Sequence, residues 1–179
     1  FTENFNGYAD DAAVVAAGWQ ILDQSPVADP DWTITNPGGR LNPFGSTGQF
    51  MVTDTDAAGD DGTDTNESLV TPAIDLSSAP SVWLHFNTAM APNDNGESRF
   101  HVDVSPDGGA SWTNVFSSYS PGIGAGGPEG NADGRLFPVD LNLTSILAGA
   151  ETAHVRFVNL DGNDGWFWAV DDVTVDSTP

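Results

Sequence analysis

Hydrophobic and polar residues alternate with a period of two along much of this chain. In VWLHFNT (82–88), Val82, Leu84 and Phe86 fall on one side, with Trp83, His85 and Asn87 on the other. In RFHVDVS (99–105), Phe100, Val102 and Val104 face one way, and Arg99, His101 and Asp103 the other. In HVRFVNL (154–160), Val155 and Phe157 face in, while His154 and Arg156 face out. This period marks strands with one buried face. WTIT (32–35), QFMVTD (49–54), WTNVFSS (112–118) and AVDDVTV (169–175) read the same way, and Gly, Pro, Asn and Asp fill the spacers. Only DDAAVVAAGW (10–19) and LTSILAGAE (143–151) carry helical signal, enough for a turn or two. Many short strands without a fixed-period repeat predict an all-β fold, a jelly-roll β-sandwich of two antiparallel sheets. Residues 1–179 are expected to form one such domain. The Gly-rich stretch SPGIGAGGPEGNADG (120–134) is expected to be a functional or mobile loop.

Charge narrows the partners. There are 26 acids against four Arg and no Lys, for a net charge of −22. Such a field repels nucleic acid and anionic membrane and attracts divalent cations. It also suits a protein that works in high salt, where self-repulsion is screened. Six Trp and ten Phe are enough aromatics for a packed core, so this is not a disordered acidic tail. The absence of Cys removes disulfides and thiolate metal sites. No run is long and apolar enough to span a membrane as a helix. The first residue is Phe and no leader is present, which reads as a processed or excised chain.

Candidate chemistry lies mainly in the acids. DTDAAGDDGTD (54–64) is no EF-hand, because Ala58 and Thr65 stand where two obligatory ligands would be. Asp54 and Asp56 end a strand and share a face, so both could reach one ion; Asp60, Asp61 and Asp64 read as solvated turn. In WFWAVDDVTV (166–175), Asp171 has the parity of Val173 and Val175 and should point toward the core. A buried carboxylate needs a cation, and side-chain cations are scarce here, which favours a metal. A β-bulge at the Asp pair, turning one of them out, is the alternative. Glu3 lies between Phe1 and Phe5 in FTENF, and first and last strands of a jelly roll can lie close. The expected metal set is therefore Glu3, Asp54, Asp56, Asp171 and Asp172, holding Ca2+.

Other motifs carry less chemistry. SPDGGASW (105–112) matches an Asp-box and reads as a structural hairpin turn, with Asp107 accepting backbone N–H bonds and Trp112 packing back. PNDNGES (92–98) and NLDGNDGW (159–166) read as ordinary turns. Neither a G-x-S-x-G elbow nor an H-E-x-x-H helix is present, and His85, His101 and His154 have no reason to converge. The chain is not expected to be an enzyme. If the strands that carry them share a sheet, Trp83, His85, Arg99, His101 and Arg156 form a polar strip suited to sugar hydroxyls and ring faces. Trp19, Trp32, Trp112 and Trp168 are assigned to the core.

A series of landmarks then runs nearly end to end: FTENF, Gly18-Trp19, WTITNPGG, FMVTD, SLVTPAIDLS, VWLHF, VDVSPDGGASW, VDL, HVRF and WFWAVDDVTV. In this order the chain resembles the bacterial jelly-roll domains related to MAM and cleaved-adhesin domains, found in choice-of-anchor surface proteins. The resemblance implies a mostly non-catalytic, calcium-stabilised sandwich, with calcium where an early-strand acid meets a last-strand Asp: here Glu3 with Asp171 or Asp172. The chain departs from the family in its acidity and its long Gly-rich loop. The expected function is binding of carbohydrate or a surface protein ligand, in a secreted or cell-surface bacterial protein. The alternative is a structural subunit of an extracellular filament or surface layer that self-associates.

Overall fold

The computed structural model describes all residues except 26–31, 41, 43, 45–47, 59–64, 92–98, 120–134 and 161–166. The loop at 120–134, the acids at 60, 61 and 64, and the two Asn/Asp turns thus lie wholly or largely outside the described residues. In chain order the elements are β1 (Thr2–Glu3), α1 (Asp11–Ala16), β2 (Gln20–Asp23), β3 (Met51–Thr53), α2 (Thr55–Ala58), β4 (Asn66–Val70) and β5 (Trp83–Ala91). They continue with β6 (Arg99–Ser105), β7 (Thr113–Tyr119), β8 (Arg135–Asn142), α3 (Thr144–Leu147), β9 (His154–Leu160) and β10 (Phe167–Asp176).

The strands form two antiparallel five-stranded sheets. One runs β1-β10-β5-β8, with β3 also paired to β10; the other runs β2-β4-β9-β6-β7. The expected alternation holds along β5, where Val82, Leu84 and Phe86 are buried and Trp83, His85 and Asn87 are half-buried. Leu84 and Phe86 meet Phe100, Val102, Val155 and Phe157 of the other sheet in one core. Its centre is aromatic: Trp32 and Trp168 pack edge-on with centroids 5.0 Å apart, and Phe100 lies 5.2 Å from Trp168. The Trp168 indole N–H is satisfied by the Thr88 hydroxyl at 2.7 Å, which lets a polar ring sit at full burial.

Three expectations change. WTIT contributes only an isolated bridge, Thr33 to Val52, because Thr33 and Ile34 are tied instead to the Asp11 carboxylate of α1. Strands β2, β4 and β8 come from segments without clear alternation; β4 is buried at four of its five positions, so both of its faces are covered. The polar strip also fails. Trp83 and His85 lie on β5 in the first sheet, whereas Arg99, His101 and Arg156 lie on β6 and β9 in the second. Residues that point outward from different sheets of a sandwich point in opposite directions.

The first sheet also carries a small apolar cluster on its outer face. Phe167 and Ala169 alternate with the core residues Trp168 and Val170, and meet Phe50, Val52, Ala89 and Phe44 there.

Candidate functional site

The five predicted metal ligands separate into two groups. Strand β3 pairs antiparallel with β10, with Met51 opposite Val170 and Thr53 opposite Trp168. Asp54 therefore sits level with Phe167, about 13 Å along β10 from Asp171 at roughly 3.3 Å per residue. Its charge is met by Arg40. The guanidinium donates from Nε to Asp54 Oδ2 and from Nη2 to Asp54 Oδ1, both at 2.7 Å, and from Nη2 to Asp56 Oδ2 at 2.6 Å. The Asp54 side chain is fully buried and Arg40 is 7% exposed, so this is an interior, forked ion pair. Asp54 Oδ1 also caps α2 by accepting from the Ala57 N–H at 3.0 Å. Asp54 and Asp56 are thus bound to Arg40 rather than joined to Glu3 and Asp171. Because Arg40 lies 14 residues before Asp54 in a Pro-Gly-Gly turn, no strand periodicity linked them in the sequence.

Glu3 and Asp171 lie on adjacent strands. Glu3 pairs with Val173 across β1 and β10, and its charge is felt at Asp171. Asp171 is opposite Asn87 and Thr174 is opposite His85, so Asp172 and Val173 face one residue of β5. This is the β-bulge, with Asp172 at φ 51°. The bulge shifts the parity: Asp171 shares the outer face with Ala169, not the core face of Val173 and Val175. It is nonetheless 3% exposed. Asp171 accepts the Asp172 N–H at 2.8 Å, and Asp172 accepts the Asn87 amide at 2.9 Å. Burial, followed by the charges of Asp172 and Glu3, raises the Asp171 carboxyl to about 7 against the pull of the Asp172 N–H. Glu3 accepts the Phe5 N–H and the Tyr8 hydroxyl, both at 2.7 Å. Burial and that bond to Glu3 raise Tyr8 to about 12, so the phenol keeps its proton. Among the described residues, no three His, Cys, Asp or Glu side chains are grouped tightly enough to hold a metal by themselves.

On the first sheet's outer face, Trp83 and His85 stack with planes 10° apart and centroids 6.3 Å apart. His85 Nδ1 is 2.5 Å from Asp140 and Nε2 is 3.0 Å from the Thr178 carbonyl, so both ring nitrogens face acceptors. The bond to Asp140 leads in raising the imidazole above its ordinary value.

The second sheet presents a cleft of about 290 Å³, and it contains Arg156. Register assembles it. Gln20 is opposite Val70, Val70 opposite Arg156, and Arg156 opposite Asp103, so these side chains form one row across four strands. Arg156 donates from Nε to Asp103 Oδ2 at 2.9 Å, and its Nη2 lies 2.9 Å from the same oxygen. The β6–β7 turn closes one end. There Asp107 accepts the Ser111 N–H and hydroxyl and the Ser105 hydroxyl, which pull its carboxyl down to about 2. Gly108 and Gly109 take φ 71° and 88°, as the Asp-box reading requires. Trp112 does not join the core. It is half-buried, packs beside Gly109 and stacks on the Arg156 guanidinium, 4.3 Å from ring centroid to Cζ. The pairing of Trp112 with Arg156 was missed. The Asp-box that leads into Trp112 fixes the turn, but only strand order puts β9 beside β6.

The fold is an antiparallel β-sandwich of two five-stranded sheets. No family model and no curated protein sequence matches the chain. Among solved structures, it is similar over its whole length to the K1 cleaved adhesin domain of Lys-gingipain from Porphyromonas gingivalis W83. Identity is 16%, the alignment covers 100% of this chain and 98% of that one, and the TM-score is 0.68. The K3 cleaved adhesin domain of the same protein gives 18% identity, 99% and 98% coverage, and a TM-score of 0.68. A family 11 carbohydrate-binding module from Clostridium thermocellum, solved with a β-1,3-1,4-mixed-linked tetrasaccharide, gives 12% identity, 99% and 96% coverage, and a TM-score of 0.50.

Proposed function

We propose that this chain is a non-catalytic, extracellular carbohydrate-binding module of a bacterial secreted or surface protein, stabilised by calcium. The supporting observation is full-length agreement with sandwiches that serve as adhesin domains and, in one case, hold a tetrasaccharide. Fold alone does not fix function, so a direct assay decides. A glycan array probed with the labelled chain, with and without calcium, is expected to give binding to at least one glycan. Silence on the whole array in both conditions would refute the carbohydrate reading.

Calcium fits the corner where the first and last strands meet. Glu3 and Asp171 are the residues that would hold it, with Asp172 beside them. Hard carboxylate oxygens suit this ion, and backbone carbonyls and water complete its usual six to eight ligands. Asp171 has no cationic partner among the described residues, which leaves a buried carboxylate that a divalent ion would neutralise. Its role would be to tie the ends of the fold together. Thermal melting in millimolar calcium and in chelator tests this, since an ion that binds only the native state must raise the melting temperature. Equal melting temperatures would remove calcium from the proposal.

A further inference from the structure

We infer that the cleft beside Trp112 receives a single uncharged sugar ring at the end of a neutral glycan. This rests on the carbohydrate reading above and assigns it a place on the molecule. Four observations carry it.

The first is size. A cleft of about 290 Å³ lies at the lower end of the range for small-molecule sites, and suits one ring rather than a long chain. The second is preorganisation. Trp112 lines the cleft and is held by its Asp-box turn, by Gly109 and by the Arg156 guanidinium. An aromatic wall fixed before binding loses little entropy when a ligand arrives. Leu22 extends the apolar lining at β2; with Val15 it is one of two exposed large hydrophobic side chains among the described residues.

The third is the hydrogen-bonding rim. Gln20 and Gln24 bring carboxamides, which both donate and accept, as sugar hydroxyls require. His154 Nδ1 donates to the Thr71 carbonyl at 2.8 Å, which leaves Nε2 to meet a ligand. The fourth is charge. The cation in the cleft, Arg156, is neutralised by Asp103, which also accepts from Asn114 at 2.8 Å. On a chain of net charge −22, a compensated arginine is no anchor for an anionic ligand. Uronic-acid and sulfated glycans are therefore excluded, and uncharged hexoses or pentoses are preferred.

The test is affinity electrophoresis in gels cast with neutral polysaccharides (β-glucan, galactomannan, arabinan) or acidic ones (alginate, pectate), together with an array of their oligosaccharides. Retardation is expected on at least one neutral polysaccharide and on neither acidic one. Trp112→Ala and the double variant Gln20→Ala/Gln24→Ala should each weaken it at least about tenfold, while Trp83→Ala leaves it unchanged. Both glutamines are exposed, Gln20 on the edge strand β2 and Gln24 just past its end, so the double variant remains decisive even where Trp112→Ala disturbs the hairpin. Binding to a neutral glycan that survives the double variant overturns the cleft but leaves the carbohydrate reading standing. Binding confined to acidic glycans overturns the charge argument and the proposal with it. Binding to no glycan refutes the carbohydrate reading itself.

Discussion

Replacing Arg40 with Met separates two accounts of Asp54. As an ion-paired residue, Asp54 depends on the guanidinium that binds both of its oxygens at 2.7 Å. Its side chain has no exposure to water, so loss of Arg40 strands a carboxylate in the interior. Removing one partner of a buried pair costs about 3–5 kcal/mol. Methionine keeps much of the aliphatic bulk over the Phe167 ring, which the guanidinium carbon approaches to 5.0 Å, so the loss is mainly electrostatic. For a domain of this size the melting temperature should fall by roughly 6–20 °C. Urea unfolding followed by tryptophan fluorescence measures the free energy directly. The double variant Arg40→Met/Asp54→Asn should recover a substantial part of the loss, because no uncompensated charge remains. A loss below about 1 kcal/mol for Arg40→Met, or full rescue of that variant by calcium, would show that a metal rather than Arg40 balances Asp54.

Other consequences can be measured independently. A Cβ at Gly38 would lie 2.1 Å from Asp54 Oδ2, an atom Arg40 holds in place, so Gly38→Ala should destabilise by about 1–3 kcal/mol in the same unfolding assay. Because Asp171 binds its proton more tightly folded than unfolded, calcium-free stability should fall as pH rises from about 4 through about 7. Asp171→Asn should remove that slope, gain on the order of a few kcal/mol at pH 8, and abolish any calcium-dependent rise in melting temperature. His85 has the same sign, in a higher pH window. Its raised folded value gives stability that is complete below the ordinary histidine range and lost as pH rises through the folded value. His85→Gln should therefore cost up to about 1 kcal/mol at pH 6 and much less at pH 9, a small effect for a partly exposed pair.

Much of the sandwich was legible because period-two burial leaves a direct trace. The run HVRFVNL became β9 residue for residue, and RFHVDVS became β6. Strand order left no such trace, since alternation assigns a face and not a sheet. That is why Trp83 was grouped with Arg156, while the aromatic ring that meets Arg156 belongs to Trp112. Trp112 was assigned to the core, yet it is half-buried and packs back on the turn, whose hydrogen bonds and Trp packing the Asp-box anticipated. The closeness of first and last strands was foreseen, and β1 does pair with β10. The burial of Asp171 was expected for the wrong reason, because the bulge reverses the parity on which that reasoning stood. Asp54 was singled out correctly as unusual, but its partner lay in a segment whose path periodicity does not encode.

The pairing of β1 with β10 also has a mechanical side. The Phe1 ammonium donates to the Val175 carbonyl at 3.0 Å and the Val175 N–H donates back to Phe1 O at 2.9 Å, so the two strands meet at their outer ends. A force drawing Phe1 and Pro179 apart pulls across these hydrogen bonds one after another, as a zipper opens, instead of loading them all in shear. In single-molecule stretching, β1 should peel away at low force before the sheets separate. An ion bridging Glu3 and Asp171 would sit just beyond the last bond of that zipper, so calcium should raise the force at which it opens without altering the sandwich behind it.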